Sequence, residues 1–377
     1  MRPTYAVINL SNLKFNYLNI RKKIKNVKVM AVVKADAYGH GARQVVNTLN
    51  SLGRQKPEYY AVAINEEAVE LRSYNVKQPI LIFDPVDFEQ VEDIFRYNLI
   101  PTVFNNNHLS ILLKGKTKYR KKYKIKDKIP VHIKVDTGMN RLGIDFDKAP
   151  EFILRLDKSS DFVIDGIYTH FATSDEKNKS FAALQIRRFE DLLRELRKAG
   201  VNYGLAHAAN SGAILDMPGA YFDMVRPGIS LYGYYPSLET TESVRLKPVM
   251  SVISHVTSVK EIKAGETVGY GRLFKAGKKT KIISVPIGYA DGFNRSLTNK
   301  SEAIVRGKYY KQIGRVAMDR IMFNVNKDDV GYKDEVILLG EKGGKRISAW
   351  DWCKILNTIP YEITCNISKR VPRIYKK

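Results

Sequence analysis

The sequence predicts an α/β protein in two parts: an N-terminal (β/α)8 barrel of the TIM type over residues 1–236, then a mainly β domain over residues 237–377. Three observations carry this. The chain, at 377 residues, is long enough for two domains and a large core. Over its first 230 residues or so, eight short β-rich apolar runs alternate with amphipathic stretches. After Tyr235 the texture changes, and the runs become longer, richer in β-formers and poor in helical spacing.

The eight runs are Val29–Val33, Tyr60–Ala63, Ile80–Phe83, Pro101–Phe104, Val131–Val135, Val163–Thr169, Leu205–His207 and Met224–Leu231. Between them, Asn12–Ile24 repeats apolar residues at three- and four-residue steps, with Ser11 placed to cap it. Glu66–Tyr74, Phe88–Tyr97, His108–Leu113, Ala149–Leu156 and Lys179–Ala199 carry the same period. Pro236 and the polar segment Ser237–Arg245 read as a linker. Beyond it Val249–Val259, Lys281–Ile287, Ile304–Val325 and Glu335–Leu339 read as strands, and Ser348–Leu356 as a helix.

Composition narrows the function classes. Hydrophobic residues at 44% and charged residues at 27% mark a globular chain, not a disordered one. No apolar run reaches spanning length, and Met1–Asn16 lacks an apolar leader segment. The expectation is a cytoplasmic protein that does not engage a membrane. Two cysteines, Cys353 and Cys365, are too few for a disulfide framework, and the six histidines show no metal-binding spacing, so no metal is expected. The net charge of +24 raises the question of nucleic acid. A third of it lies in Lys114–Lys128, which holds eight Lys, one Arg and one Asp with Tyr119 and Tyr123 interleaved. No nucleic-acid-binding module surrounds the cluster, so it reads as a solvated loop, and no nucleic-acid partner is expected.

In a barrel, reactive residues gather at the C-terminal ends of the strands. Lys34 stands there, in Ala31-Val32-Val33-Lys34-Ala35-Asp36-Ala37-Tyr38-Gly39-His40-Gly41, with Gly39 and Gly41 breaking the chain into a loop. A lysine whose stem is packed and whose head faces a cleft loses part of its basicity, and its neutral amine can form a Schiff base with an aldehyde cofactor. Three further clusters obey the same rule: Lys134 to Gly143 with Arg141, His170 to Glu176, and His207 to Ser211 followed by Val225-Arg226-Pro227-Gly228-Ile229. Ser211 offers a hydroxyl, and Gly228 lets backbone N–H groups approach an anion after strands seven and eight, where barrels commonly hold phosphate. Arg226 only donates hydrogen bonds, so beside a pyridine nitrogen it leaves the ring a weaker electron sink than a carboxylate would; simple proton exchange is favoured. Taken singly, the Asn-Ser and Pro-Gly pairs read better as ordinary turns and Arg226 as readily as a strand-end salt bridge, but their joint placement opposite Lys34 favours a phosphate cradle.

The Lys34 run resembles the pyridoxal-phosphate segment of alanine racemases. Val285-Pro286-Ile287-Gly288-Tyr289-Ala290-Asp291-Gly292, Gly314-Arg315-Val316-Ala317-Met318-Asp319 and Tyr361-Glu362 with Arg370-Val371-Pro372-Arg373 resemble that family's β-domain. So does Val268-Gly269-Tyr270-Gly271-Arg272. The resemblance implies a homodimer with shared sites that interconverts L- and D-alanine on pyridoxal 5'-phosphate, for peptidoglycan synthesis. Lys34 would carry the cofactor and exchange the proton of the D-enantiomer. Tyr270, from the partner subunit, would exchange that of the L-enantiomer, giving one base per face of the α-carbon. Arg226 would meet the ring nitrogen and His170 would tune the Arg226–Tyr270 pair. Tyr38, Asn210, Ser211, Gly228, Ile229 and Tyr361 would surround the cofactor. Arg141, Met318 and Asp319 belong to the substrate region, and Tyr289 to a narrow entrance. Lys134 matches a lysine carbamylated in some members.

The chain departs from the family pattern at Asn140, where glycine is common before Arg141, and at Ala317, where cysteine is common. Other readings are a racemase of shifted specificity, for serine or lysine, and a non-catalytic pyridoxal-phosphate carrier on the same barrel. Residues 240–377 argue against a carrier.

Overall fold

The computed structural model describes residues 2–377. Eight parallel strands close the barrel: Lys28–Val32, Tyr59–Val62, Ile80–Ile82, Ile100–Val103, Ile129–Asp136, Phe162–Tyr168, Leu205–His207 and Met224–Val225. The last pairs back onto the first through Met224 opposite Lys28, which completes the ring. These strands read as continuous apolar runs because helices cover the outside and side chains fill the inside, so neither face meets water.

The expected elements occur with changes at their edges. The first helix is Leu10–Ile24, and its cap is Asn9, not Ser11: the Asn9 side chain accepts Asn12 N–H at 2.9 Å. The helix expected at Phe88–Tyr97 is only Val91–Arg96. The one expected at His108–Leu113 runs over Asn106–Tyr119 and carries Lys114, Lys116 and Lys118, a third of the cluster's basic residues, on a helix, not a loop. Lys116 pairs with Asp161 at 3.1 Å and Lys122 with Glu92 at 2.6 Å, so opposite charges offset part of the local repulsion that a periodicity reading cannot see. The eighth run, Met224–Leu231, is strand only at Met224–Val225; Pro227 cannot donate to a ladder, and a short 3-10 helix, Ile229–Tyr232, follows.

In the second domain, the single run Ile304–Val325 is three strands, Glu302–Val305, Lys308–Ile313 and Ile321–Asn326, broken at Arg306-Gly307 and at the loop after Gly314. They join Ser258–Ile262, Thr280–Val285, Met250–His255 and Glu335–Lys342 in one sheet. Tyr5–Asn9 belongs to this sheet, not to the barrel: it lies antiparallel to Met250–His255 and parallel to Arg373–Lys376. The two chain ends therefore tie the domains together. The division at residue 236/237 stands as our proposal for the folding units, with that strand as the exception. A small hairpin, Thr267–Val268 with Phe274–Lys275, projects from the sheet over its own apolar cluster of Ile262, Val268, Ala276, Ile282 and Ile313.

Candidate active site

Lys34 stands two residues beyond the first barrel strand, and the loop expected after it is something more specific. Ala35, Asp36, Ala37 and Tyr38 all have φ between 50° and 55°, a turn of left-handed helix built without glycine. Such backbone costs about 1–2 kcal/mol per residue, so its surroundings must hold it. Glu67 accepts Ala35 N–H at 2.6 Å through one oxygen and Ala63 N–H at 2.8 Å through the other. Asp36 accepts Ala42 N–H at 2.7 Å. His40 Nδ1 lies 3.0 Å from the Ala37 carbonyl and 2.9 Å from that of Tyr38, so this nitrogen carries the proton and donates. Burial holds the His40 imidazole down to about 4, which keeps it neutral. The four left-handed residues are free of β-branched side chains, which tolerate this conformation worst.

The turn aims Lys34 into a cavity of about 420 Å³ at the C-terminal mouth of the barrel. Tyr38, Lys134 and Arg141 line it, as do His170, Asn210 and Ser211, then Arg226, Gly228, Ile229 and Tyr361. These are the expected cavity residues, brought together from five strand ends and the helix Pro360–Asn366. Four cationic side chains face one carboxylate, that of Asp84, which suits an anionic ligand. Burial and then the Arg141 guanidinium lower the Lys34 amine, the condition for a nucleophile near neutral pH. Burial, with Arg226 and Arg141, holds the Lys134 amine well below its usual range. It lies 4.8 Å from the centre of the Tyr168 ring.

Arg226 is buried at 3% exposure and held by uncharged acceptors. Its Nη2 donates to the carbonyls of Thr169 at 2.8 Å and Ala208 at 2.9 Å and meets His170 Nδ1 at 3.2 Å; Nη1 meets His207 Nδ1 at 2.7 Å. Burial lowers the guanidinium to about 10, and it stays charged at neutral pH. His170 is pushed well below its usual range by burial and by Arg226, Lys134, Arg141 and Lys34, so it is neutral. Nη2 is fully engaged, whereas Nη1 meets a single acceptor and no protein group takes Nε–H, so Arg226 keeps donors for a group in the cavity.

The anion cradle is equally definite. Ser211 Oγ accepts Gly228 N–H at 3.0 Å, and Ser230 Oγ donates to it at 3.0 Å. Ile229 N–H opens the 3-10 helix without an intrahelical partner. A Cβ on Gly228 would lie 2.5 Å from the Tyr38 hydroxyl, so glycine here keeps the phenol and the backbone in contact. Asn210 serves first as a cap, accepting Ala213 N–H at 3.0 Å, and only its remaining surface lines the cavity. These donors fit pyridoxal 5'-phosphate: a lysine for the aldehyde, a guanidinium N–H for the ring nitrogen, and hydroxyls with a free N–H for the phosphate.

Tyr270, Tyr289, Met318 and Asp319 do not line this cavity. They lie on the second domain, where Tyr270 is 74% exposed at the tip of the small hairpin, flanked by Gly269 and Gly271 with φ near 70°. Met318 and Tyr289 are exposed too, joined through the Tyr289 N–H to Ala317 carbonyl bond at 3.1 Å. Asp319 is tied to Arg370 at 2.7 Å, a surface ion pair. Asn140, where glycine was noted as common, has φ of 54°; asparagine is among the few residues that accept this, so the loop before Arg141 keeps its turn.

Three participants escaped the sequence reading. Asp84, just past the third barrel strand, obeys the strand-end rule that found Lys34. Tyr168 ends the sixth strand two residues before His170 and stacks on His207 at 4.9 Å and 2°. Glu67 sits in the first turn of Asn65–Ser73 and gave no signal for its second role, because the Ala35 N–H it accepts lies 32 residues away in sequence.

Comparison with known proteins now decides the family. Residues 8–236 match the alanine racemase N-terminal domain and residues 249–375 the alanine racemase C-terminal domain. The chain belongs to the alanine racemase family. It is 45% identical to alanine racemase 2 of Caldanaerobacter subterraneus subsp. tengcongensis over 378 residues, covering 100% of this chain and 95% of that protein. The alanine racemase of Halothermothrix orenii is 43% identical, with 100% and 97% covered. Among solved structures, the alanine racemase of Clostridium difficile 630 superposes with a TM-score of 0.92 at 36% identity, covering 99% of this chain and 96% of that one. That of Bacillus anthracis with bound L-Ala-P superposes at 0.90 and 32% identity, with 100% and 96% covered. The alanine racemase architecture, barrel plus mainly β domain, is the one expected from the sequence.

Proposed function

We propose that this protein interconverts L- and D-alanine with pyridoxal 5'-phosphate, as a homodimer in which each site draws Tyr270 from the partner subunit. The observation that carries the reading is the pairing of Lys34 and Arg226 in one cavity, an amine of lowered basicity with a buried guanidinium that keeps unpartnered N–H groups. When bound, the cofactor supplies the electron sink that makes the α-proton of an amino acid labile. Arg226 cannot give its proton away, so it moderates that sink and disfavours side reactions such as transamination. Ser211 Oγ, Ile229 N–H and the Tyr38 and Tyr361 hydroxyls hold the phosphate.

Lys34, besides holding the cofactor when it is bound, would take or give the proton at one face. Tyr270 does so at the other, where Arg226 and its neutral neighbour His170 set the field. Two bases are needed because a single base returns the proton to the face it came from. Arg141 and the Met318 backbone orient the substrate carboxylate, and Tyr289 narrows the entrance. Within one chain Lys34 and Tyr270 lie on separate surfaces; the exposed Tyr270, Tyr289 and Met318 supply the matching face for a second copy. The Lys134 amine, its basicity lowered by burial beside the Tyr168 ring, is the group whose neutral form carbon dioxide would convert to a carbamate with loss of a proton to solvent, and the added carboxylate would hold Arg141. Among the described residues, no helix is long and apolar enough to cross a membrane. We place the protein in the cytoplasm, supplying D-alanine for peptidoglycan.

The test is chiral product analysis after incubation with pyridoxal phosphate and L-alanine, with L-serine and L-lysine in parallel. D-Alanine formed fastest supports the reading. Faster D-serine or D-lysine moves the substrate and keeps the mechanism. No D-product from protein that holds the cofactor leaves the carrier reading.

A further inference from the structure

Behind Arg226 the barrel interior holds a line of polar groups that the racemase reaction as described does not use. Arg226 Nη1 faces His207 Nδ1 at 2.7 Å, His207 Nε2 faces His132 Nδ1 at 3.0 Å, and His132 Nε2 faces Asp165 Oδ2 at 3.0 Å. His132 and His207 have no exposed surface. Asp165 keeps 31% of its side chain exposed, and Tyr59 donates to the same oxygen at 3.2 Å.

Every proton in this line is assigned by its neighbour. Arginine only donates, so the His207 Nδ1 facing it is a lone pair and His207 carries its proton on Nε2. That N–H points at His132 Nδ1, which is then a lone pair as well, and His132 carries its proton on Nε2. The final N–H meets a carboxylate, which only accepts when ionised. Burial pushes the Asp165 carboxyl up, but the His132 and Tyr59 bonds outweigh it and hold the group below its usual value. The fold makes room for the arrangement. Gly166, the neighbour of Asp165, would place a Cβ 2.6 Å from the His132 ring, and Tyr168 lies flat on His207. A two-histidine line ending in an acid is costly to bury unless each member is satisfied, and here each is.

We propose that Asp165 is a positioning residue for the racemase site, acting through His132 and His207 to present an acceptor to Arg226. The inference rests on Arg226 serving the cofactor ring as proposed above. Without the terminal acceptor, His132 is free to turn its proton inward. His207 then loses its acceptor, and an N–H can face the guanidinium. The consequence is a displaced or reoriented Arg226, felt at the N–H it offers to the ring. Orienting partners of this kind commonly change activity by about 10- to 100-fold when removed.

Imidazole 15N spectra of the histidine-labelled holoprotein test the line without any variant. Both His132 and His207 are expected neutral with the proton on Nε2; a proton on His207 Nδ1, or a charged His132, overturns the proposal. Asp165→Asn keeps an acceptor oxygen and is expected to preserve both tautomers and racemisation within a few-fold. Asp165→Leu is expected to lose the tautomer order, to lower kcat by about tenfold or more with KM little changed, and to shift the absorbance of the bound cofactor. An Asp165→Leu protein with unaltered kcat and cofactor spectrum, or equal losses in both variants, overturns it. Wild-type protein with the expected tautomers and no racemisation would count against the functional reading and leave the proton assignment standing.

Discussion

Glu67 fixes the backbone of Ala35, the residue next to the proposed cofactor lysine, by accepting its N–H at 2.6 Å while a second oxygen takes Ala63 N–H at 2.8 Å. One carboxylate thus joins the ends of the first two barrel strands and holds the start of a left-handed turn. Glu67→Ala removes both acceptors. It is expected to cost roughly 1–3 kcal/mol of stability and to weaken cofactor retention, read by dialysis and visible absorbance. Glu67→Gln, which keeps only one acceptor oxygen, should fall between. A fully loaded Glu67→Ala protein with native melting would show that the turn is held by other contacts.

Gly228 and Tyr38 define a second test. The Cβ of Gly228→Ala would meet the Tyr38 hydroxyl at 2.5 Å. Gly228→Ala should raise the cofactor Kd by about tenfold, and adding Tyr38→Phe should recover part of that loss. Strict additivity in titrations of the two single variants and the double variant would contradict this contact.

These cases show what the sequence made legible. Strand ends were readable because a buried parallel strand is a short apolar run, and the strand-end rule placed Lys34, His170, Arg226 and Ser211 correctly. The left-handed turn was not readable: Ala35 to Tyr38 are ordinary residues, and their conformation is held by contacts of Asp36 and His40 within the loop and by Glu67 from outside it. The Tyr5–Asn9 strand was missed for a similar reason, since its partners lie about 240 and 370 residues away. His132 and His207 gave no signal as a pair, because strands five and seven meet only inside the closed barrel.

Acid stability follows from His40. Its pKa is about 4 in the folded protein against 6.5 for the free side chain, so between those values the unfolded chain binds a proton that the native protein refuses. Stability should therefore fall as pH drops from 6.5 toward 4, by about 1.4 kcal/mol per unit from this group where the difference is fully developed. His40→Gln keeps a donor but cannot titrate. It should flatten that limb in denaturant titrations at several pH values. An unchanged slope would place the acid sensitivity elsewhere, with His170 and His207 the next groups to replace.

Removing either base should separate binding from turnover. Lys34→Ala is expected to abolish the absorbance of lysine-bound cofactor. Tyr270→Phe should keep that absorbance and lose racemisation almost completely. A Tyr270→Phe protein with most of its activity would end the two-base assignment.

The most direct measurement mixes two dead proteins. Lys34→Ala and Tyr270→Ala, each inactive alone, are co-expressed with different tags so that mixed dimers can be isolated. A mixed dimer has one site with both defects and one with none. It should recover about half the specific activity of the wild-type dimer, as the symmetry of a two-fold assembly requires. Mixed dimers as inactive as their parents would show that Lys34 and Tyr270 do not meet across subunits, and would contradict the shared site.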